Sequence, residues 1–163
     1  MFDHVDHTIL TALQRDARIA NAEIARHLDM APSAILERIR KLELRGVIRG
    51  YEARVDPRAA GVGLTAFVFV RGSFSAPGAA ALGDALTALP EVVELHQVAG
   101  EDCWLLKVRV GDTDALAHLL NEGIKPLPGV DATRTTIVLS TRKETGTVAL
   151  KAAAATGSGR NGR

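Results

Sequence analysis

One cysteine stands in 163 residues, which excludes an intramolecular disulfide framework and any zinc site built from several thiolates, and suits a reducing cytoplasm. Long apolar runs are missing as well. The longest, Ala66–Val70, is far too short to cross a bilayer. The first twenty residues carry Asp3, Asp6 and Asp16 without a sustained apolar stretch, so no secretory signal is read there. Chemistry-bearing motifs are equally scarce. There is no serine nucleophile elbow, phosphate-cradling glycine loop or dinucleotide fingerprint. The five histidines, His4, His7, His27, His96 and His118, fall at no convincing metal-ligand spacing. Neither catalysis, a cofactor nor a metal is expected.

What is present is the composition of a globular protein, with 47% hydrophobic and 24% charged residues, at a length that allows one ordinary domain or two small ones. The net charge of +1 says little until the chain is divided. Residues 1–55 hold 9 Lys/Arg against 8 Asp/Glu, residues 56–140 hold 6 against 10, and residues 141–163 hold 5 against 1. Within the first part, residues 32–54 concentrate 6 basic against 3 acidic side chains. A basic stripe on an otherwise neutral or acidic protein binds a polyanion at one place only; a solvated helix face is the plainer alternative.

Residues 3–50 read as three helices. Asp3 is placed to cap the first, which carries Val5, Ile9, Leu10 and Leu13 at helical spacing. Asn21 is expected to cap a second, short helix with Ile24, Ala25 and Leu28. After the turn Asp29-Met30-Ala31, Pro32 suits the first turn of a third helix, where its missing N–H has no intrahelical partner to lose. Ile35, Ile39 and Leu42 share one face of that helix, and Gly46 stops it. The spacing predicts a helix-turn-helix whose last helix buries those three residues. Its opposite face, Ser33, Ala34, Glu37, Arg38, Arg40 and Lys41, is then offered to a DNA groove, with Pro32 at its start and Arg49 just beyond its end. Arg38 suits guanine or a phosphate, and Glu37 suits the amino group of cytosine. The competing reading is a three-helix interaction module with a merely basic surface. Residues 47–55 are expected to form a strand ended by Asp56-Pro57, and residues 56–63 a hinge.

The remainder alternates strand and helix signals: a strand from Leu64 to Arg71, a helix from Pro77 to Leu89, strands at 92–99 and 103–110, a helix from Asp112 to Asn121, and a strand at 133–139. The order βαββαβ predicts a ferredoxin-like α+β sandwich. The first strand is apolar on both sides, and Trp104, Leu106, Val108 and Val110 make one side of the third strand apolar. From this a second copy is expected over the open sheet face, giving a homodimer with the symmetry of palindromic DNA. From residue 146 the Ala/Gly/Ser-rich, basic chain reads as a flexible tail.

Several stretches together resemble one family. Asp3-His4-Val5-Asp6, Leu13-Gln14-Arg15-Asp16-Ala17-Arg18-Ile19, Asn21-Ala22-Glu23-Ile24-Ala25, Leu36-Glu37-Arg38-Ile39-Arg40-Lys41-Leu42-Glu43 and Gly46-Val47-Ile48-Arg49-Gly50-Tyr51 are similar to the opening of the Lrp/AsnC transcription regulators. Glu94, His96, Val98-Ala99-Gly100-Glu101, Leu105-Leu106-Lys107-Val108 and Leu127-Pro128-Gly129-Val130 continue the likeness to about residue 145. The resemblance implies a winged helix-turn-helix domain (residues 1–55), the hinge, and an αβ-sandwich (64–145) that dimerises and binds an amino-acid effector. It implies dimers that assemble into octamers, and an effector site at the turn of the second and third sandwich strands: Ala99, Gly100, Glu101, Asp102, Cys103 and Trp104. Glycine-turn N–H groups suit an α-carboxylate, and Glu101 or Asp102 an α-ammonium. Two departures matter. Ala31 stands where the family has a capping serine, and Cys103-Trp104 replaces an acidic–aromatic pair, so the effector of better-known members does not transfer. The expected function is a cytoplasmic, amino-acid-responsive, sequence-specific DNA-binding regulator. A DNA-wrapping chromosome organiser without an effector is the alternative.

Overall fold

The structure is a computed structural model that describes residues 2–72, 76–100 and 103–151. It divides into two compact units, Met1–Ala53 with the chain from Thr145 onward, and Arg54–Glu144. None of the helices among the described residues is long and apolar enough to cross a membrane.

The first unit holds α1 (His4–Arg15), α2 (Asn21–Leu28) and α3 (Pro32–Leu44). Asp3 caps α1 by accepting a hydrogen bond from the Asp6 N–H at 2.7 Å. The start of α2 differs from the sequence reading. Ala20 is its N-cap, with no side-chain cap bond, and Asn21 already lies inside the helix. The cause is local: the Ala20 carbonyl accepts from the amides of both Glu23 and Ile24, which moves the first turn one residue upstream. Asp29 closes α2 in the left-handed conformation at φ 51°, which a short acidic side chain tolerates. Ile9, Leu10, Ile24, Ala25, Ile35, Ile39 and Leu42 form the buried cluster of this unit, so each helix contributes its apolar stripe. Gly46, at φ 67°, ends α3, and the Leu42 carbonyl accepts from the amides of Val47 and Ile48.

Residues 47–55 were expected as a strand and form none. They run as bends and unpaired chain, because none of the described residues forms a neighbouring strand to take their N–H and C=O groups. Residues 56–63, expected as a hinge, belong largely to a hydrogen-bonded turn: Ala60 donates to Asp56, Gly61 to Arg58 and Val62 to Pro57. The sandwich was expected to run to residue 145 and a flexible tail to begin at 146; the chain from Thr145 instead groups with the first unit. Its start packs on the first unit, with Leu150 against the buried cluster.

The second unit contains β1 (Leu64–Arg71), α4 (Ala76–Thr87), β2 (Val92–Gln97), β3 (Trp104–Val110), α5 (Thr113–His118) and β4 (Ala132–Ile137). The strands pair antiparallel in the order β2-β3-β1-β4, the ferredoxin-like arrangement expected. Asp112 caps α5 through the Ala115 N–H at 2.8 Å. Beyond His118 the helix widens to a π-turn over Leu119–Ile124, where the sequence reading continued an α-helix to Asn121. This widening accompanies the burial of Leu119 and Ile124. Ala66, Val68, Val70, Leu106, Val108 and Val110 from the sheet meet Leu82, Leu86, Leu116, Leu119 and Ile124 in one core.

That core corrects part of the case for a second copy. The apolar side of β3 packs inside the unit, and its outward side carries Leu105, Lys107 and Arg109. Of the open face, Phe67 and Phe69 on β1 and Leu105, paired with Phe69, on β3 keep the argument, and Arg134 stacks over the Phe69 ring at 3.9 Å. The remaining open face is polar, with Lys107 bonded to Glu94 at 2.8 Å.

Candidate nucleic-acid interface and effector turn

The outward face of α3 follows from its buried one. Ile35, Ile39 and Leu42 are sealed against α1 and α2, so the residues about half a helical turn away must face solvent. Pro32, Ser33, Glu37, Arg40 and Lys41 are exposed and Ala34 is half-buried. Lys41 and Glu37 stand 3.6 Å apart, a solvated i,i+4 pair of little strength. Arg40 has no ion-pair partner among the described residues. Arg49 is exposed beyond the helix. The N-terminus of α3 begins at Ala31 with no side-chain cap, and Pro32 occupies its first turn.

Arg38 is elsewhere. Its Nη1 donates to Asp3 Oδ2 at 2.6 Å and to Asp6 Oδ1 at 2.9 Å, so it ties α3 to the first turn of α1 instead of standing free toward a groove. The two carboxylates raise the guanidinium above its ordinary value. The Asp3 carboxyl is held below its own, first by the Asp6 N–H and then by Arg38. The sequence contained the signal: Arg38 lies three residues after Ile35 and four before Leu42, on the flank of the buried stripe. Sequence reasoning also missed Leu36 and Leu44, which are 38% and 87% exposed on this helix. Both fall out of step with the 35–39–42 spacing, which marks them as outward. Near the end of α3, Glu43 accepts from the Tyr51 hydroxyl at 3.0 Å; burial, then this carboxylate, pushes the phenol's pKa up.

At the turn between β2 and β3 the picture is divided. Gly100 adopts φ 131°, with no atom of the described residues within 4 Å of where a Cβ would stand, so it supplies an open, glycine-dependent bend beside Ala99. Glu101 and Asp102 lie outside the described residues. Cys103 and Trp104 do not open onto the turn. The Cys103 thiol donates to the Gly72 carbonyl at 3.3 Å. The Trp104 ring lies against α4, where a Cβ at Gly83 would come within 2.7 Å of it. The Trp104 indole Nε1 is buried without a partner among the described residues. Where β2 approaches the turn, Glu94 bonds Lys107 and lies 3.6 Å from His96, and Lys107 holds the Glu94 carboxyl below its usual value.

Residues 2–43 match the family profile described as an AsnC-type helix-turn-helix domain, and residues 65–148 that described as an Lrp/AsnC ligand binding domain. The leucine-responsive regulatory protein of Escherichia coli is 37% identical over 150 residues, covering 91% of this chain and 92% of its own. Among solved structures, the E. coli AsnC structure aligns with a TM-score of 0.84 at 30% identity, covering 90% of this chain and 98% of its own. A feast or famine regulatory protein of M. tuberculosis, complexed with L-methionine, aligns at 0.81 and 35% identity, covering 91% and 99%.

Proposed function

The chain belongs to the Lrp/AsnC family of DNA-binding transcription regulators with a ligand-binding domain, and from that premise we propose that it is a sequence-specific regulator whose assembly and DNA binding respond to an amino acid. The observation that carries the DNA half is the outward face of α3. A helix anchored by three buried aliphatics presents the exposed Ser33, Glu37, Arg40 and Lys41, the combination of small, polar and cationic groups that reads base edges and phosphates in a major groove. Its N-terminus, lacking a side-chain cap, is available to a phosphate oxygen. Arg38 has a positioning role in this reading, since it fixes α3 against α1.

For the effector half, the support is the open bend at Gly100 and the L-methionine bound by the M. tuberculosis relative. Backbone N–H groups at such a bend suit an α-carboxylate. The protein acts in the cytoplasm as a homodimer that assembles into an octamer, and the effector works through unequal affinity for the assembly states, the only way a ligand can shift an equilibrium. Homologues that are regulators give no role to catalysis.

The test is a thermal-shift screen against the twenty amino acids, followed by DNA titrations with each hit. A ligand that binds the folded state alone raises the melting temperature. One or a few hits that also change DNA affinity support the proposal. Silence at millimolar concentrations, with DNA bound regardless of sequence, favours the effector-independent DNA organiser.

A further inference from the structure

The chain passes between the two units twice, after Ala53 and again after Glu144, and the second passage is fastened at both ends. At its start, the Glu144 carboxylate bonds Lys107 and, at 2.7 Å, Arg109 of β3. Those two cationic side chains are only 13% and 18% exposed. The Glu144 carbonyl accepts from Arg54 at 2.7 Å, and Arg54 is the first residue after the other passage. Thr145, Gly146 and Thr147 follow, drawn in by a hydrogen bond from the Thr147 N–H to the Thr145 hydroxyl at 3.1 Å.

At the far end, α1 grips the chain. The Val148 N–H donates to Gln14 Oε1 at 2.6 Å, and the Val148 carbonyl accepts from Gln14 Nε2 at 3.2 Å. A primary amide that satisfies both backbone groups of one residue imitates the edge of a strand. Leu150 then packs against the buried cluster of the first unit, in a notch of about 230 Å³ shared with His7, Thr11 and Arg15.

We propose that residues 144–150 are a releasable strap: a second tether whose docking on α1 narrows the orientations open to the recognition helix and so sharpens recognition of two half-sites at a fixed spacing. The inference rests on the DNA-binding reading above. A unit held by one flexible connection must lose orientational freedom when it binds, whereas a strapped unit has lost much of it beforehand. Released, the first unit hangs on the unpaired chain around residues 49–53 alone, and accepts a wider range of half-site spacings with lower affinity for the best one.

The test uses the full chain and a duplex selected by the wild-type protein from a random pool, with a second duplex whose half-sites are moved apart by half a helical turn. Hydrogen exchange of residues 145–151 reports the strap without reference to DNA. In Gln14→Ala and Leu150→Ala, exchange there accelerates, affinity for the selected duplex falls about tenfold, and the penalty for altered spacing shrinks. Gln14→Glu keeps the acceptor for the Val148 N–H, loses the donor, and falls between. Glu144→Gln loosens the opposite end without touching α1 and gives the same change in spacing preference, which a folding defect in α1 would not. Unchanged exchange in Gln14→Ala, or faster exchange with unaltered affinity and spacing preference, overturns the proposal. A wild-type protein that selects no duplex refutes the DNA-binding reading instead, while exchange still decides whether the strap docks.

Discussion

Replacing Arg38 by alanine should weaken the fold of the first unit and leave base preference intact. The substitution removes two charge-assisted hydrogen bonds, to Asp3 at 2.6 Å and Asp6 at 2.9 Å. Solvent screens them, since the Arg38 and Asp3 side chains are 34% and 52% exposed. Exposed pairs contribute at most about 1 kcal/mol, and alanine adds no helix penalty of its own, so the net loss is on the order of 1 kcal/mol. For a unit of this size that is roughly 4–8 °C in melting temperature. Far-UV circular dichroism reports α1, α2 and α3 together with the helices of the second unit, while the single tryptophan, Trp104, lies in the second unit alone, so the part of the dichroism transition that shifts should do so without the fluorescence transition. The effect carries a pH signature. Asp3 has its pKa lowered in the fold, by the Asp6 N–H and then by Arg38, so its contribution is complete above the ordinary carboxylate value and lost as pH falls through the folded value. The difference between wild type and Arg38→Ala should therefore close below about pH 4. In DNA titrations, every sequence should weaken equally, by no more than the folded fraction explains. An unchanged dichroism transition with relaxed base preference would place Arg38 on a base and refute the reasoning.

Arg40→Ala should weaken binding to all duplexes and flatten the salt dependence by about one phosphate contact; a relaxed preference at one base pair would make it a base reader instead. Gly100→Asp should abolish any amino-acid response while DNA binding persists, because the turn needs φ 131°; an unaltered response in ligand titrations would move the site elsewhere. Gly83→Val should destabilise the second unit by about 1–3 kcal/mol through overpacking against Trp104, measured by denaturant titration, with a shifted indole emission; unchanged emission would deny the contact.

Much of this fold could be read from spacing alone. The apolar residues of α1, α2 and α3 recur at helical intervals, the β strands of the sandwich alternate, and Asp3, Asp112 and Pro32 mark helix starts, all local signals. The misreadings arose where a local signal depended on something distant. Residues 47–55 have the composition of a strand, but a strand also needs a partner. Trp104 and Leu106 were read as an unsatisfied face because composition does not say which side of β3 the helices cover. Arg38 looked like a free cation because its two acceptors sit 35 and 32 residues away in sequence. Gln14 gave no sign that it would bind Val148, 134 residues downstream. The face of α3 was legible in outline, but the division between its reading and anchoring residues required the helix phase, which the positions of Leu36, Arg38 and Leu44 supply.

Ala31 leaves α3 without a side-chain cap, and that has a thermodynamic consequence for complex formation. A serine there would stabilise the free helix by about 0.5–2 kcal/mol, and a phosphate oxygen seated on the same N–H groups would then have to displace it. With alanine there is nothing to displace. The end of α3 is left less stable in the free protein, and the nucleic acid can complete the helix, so that affinity and folding draw on the same first turn. Ala31→Ser should accordingly make a sturdier protein and a weaker ligand for DNA.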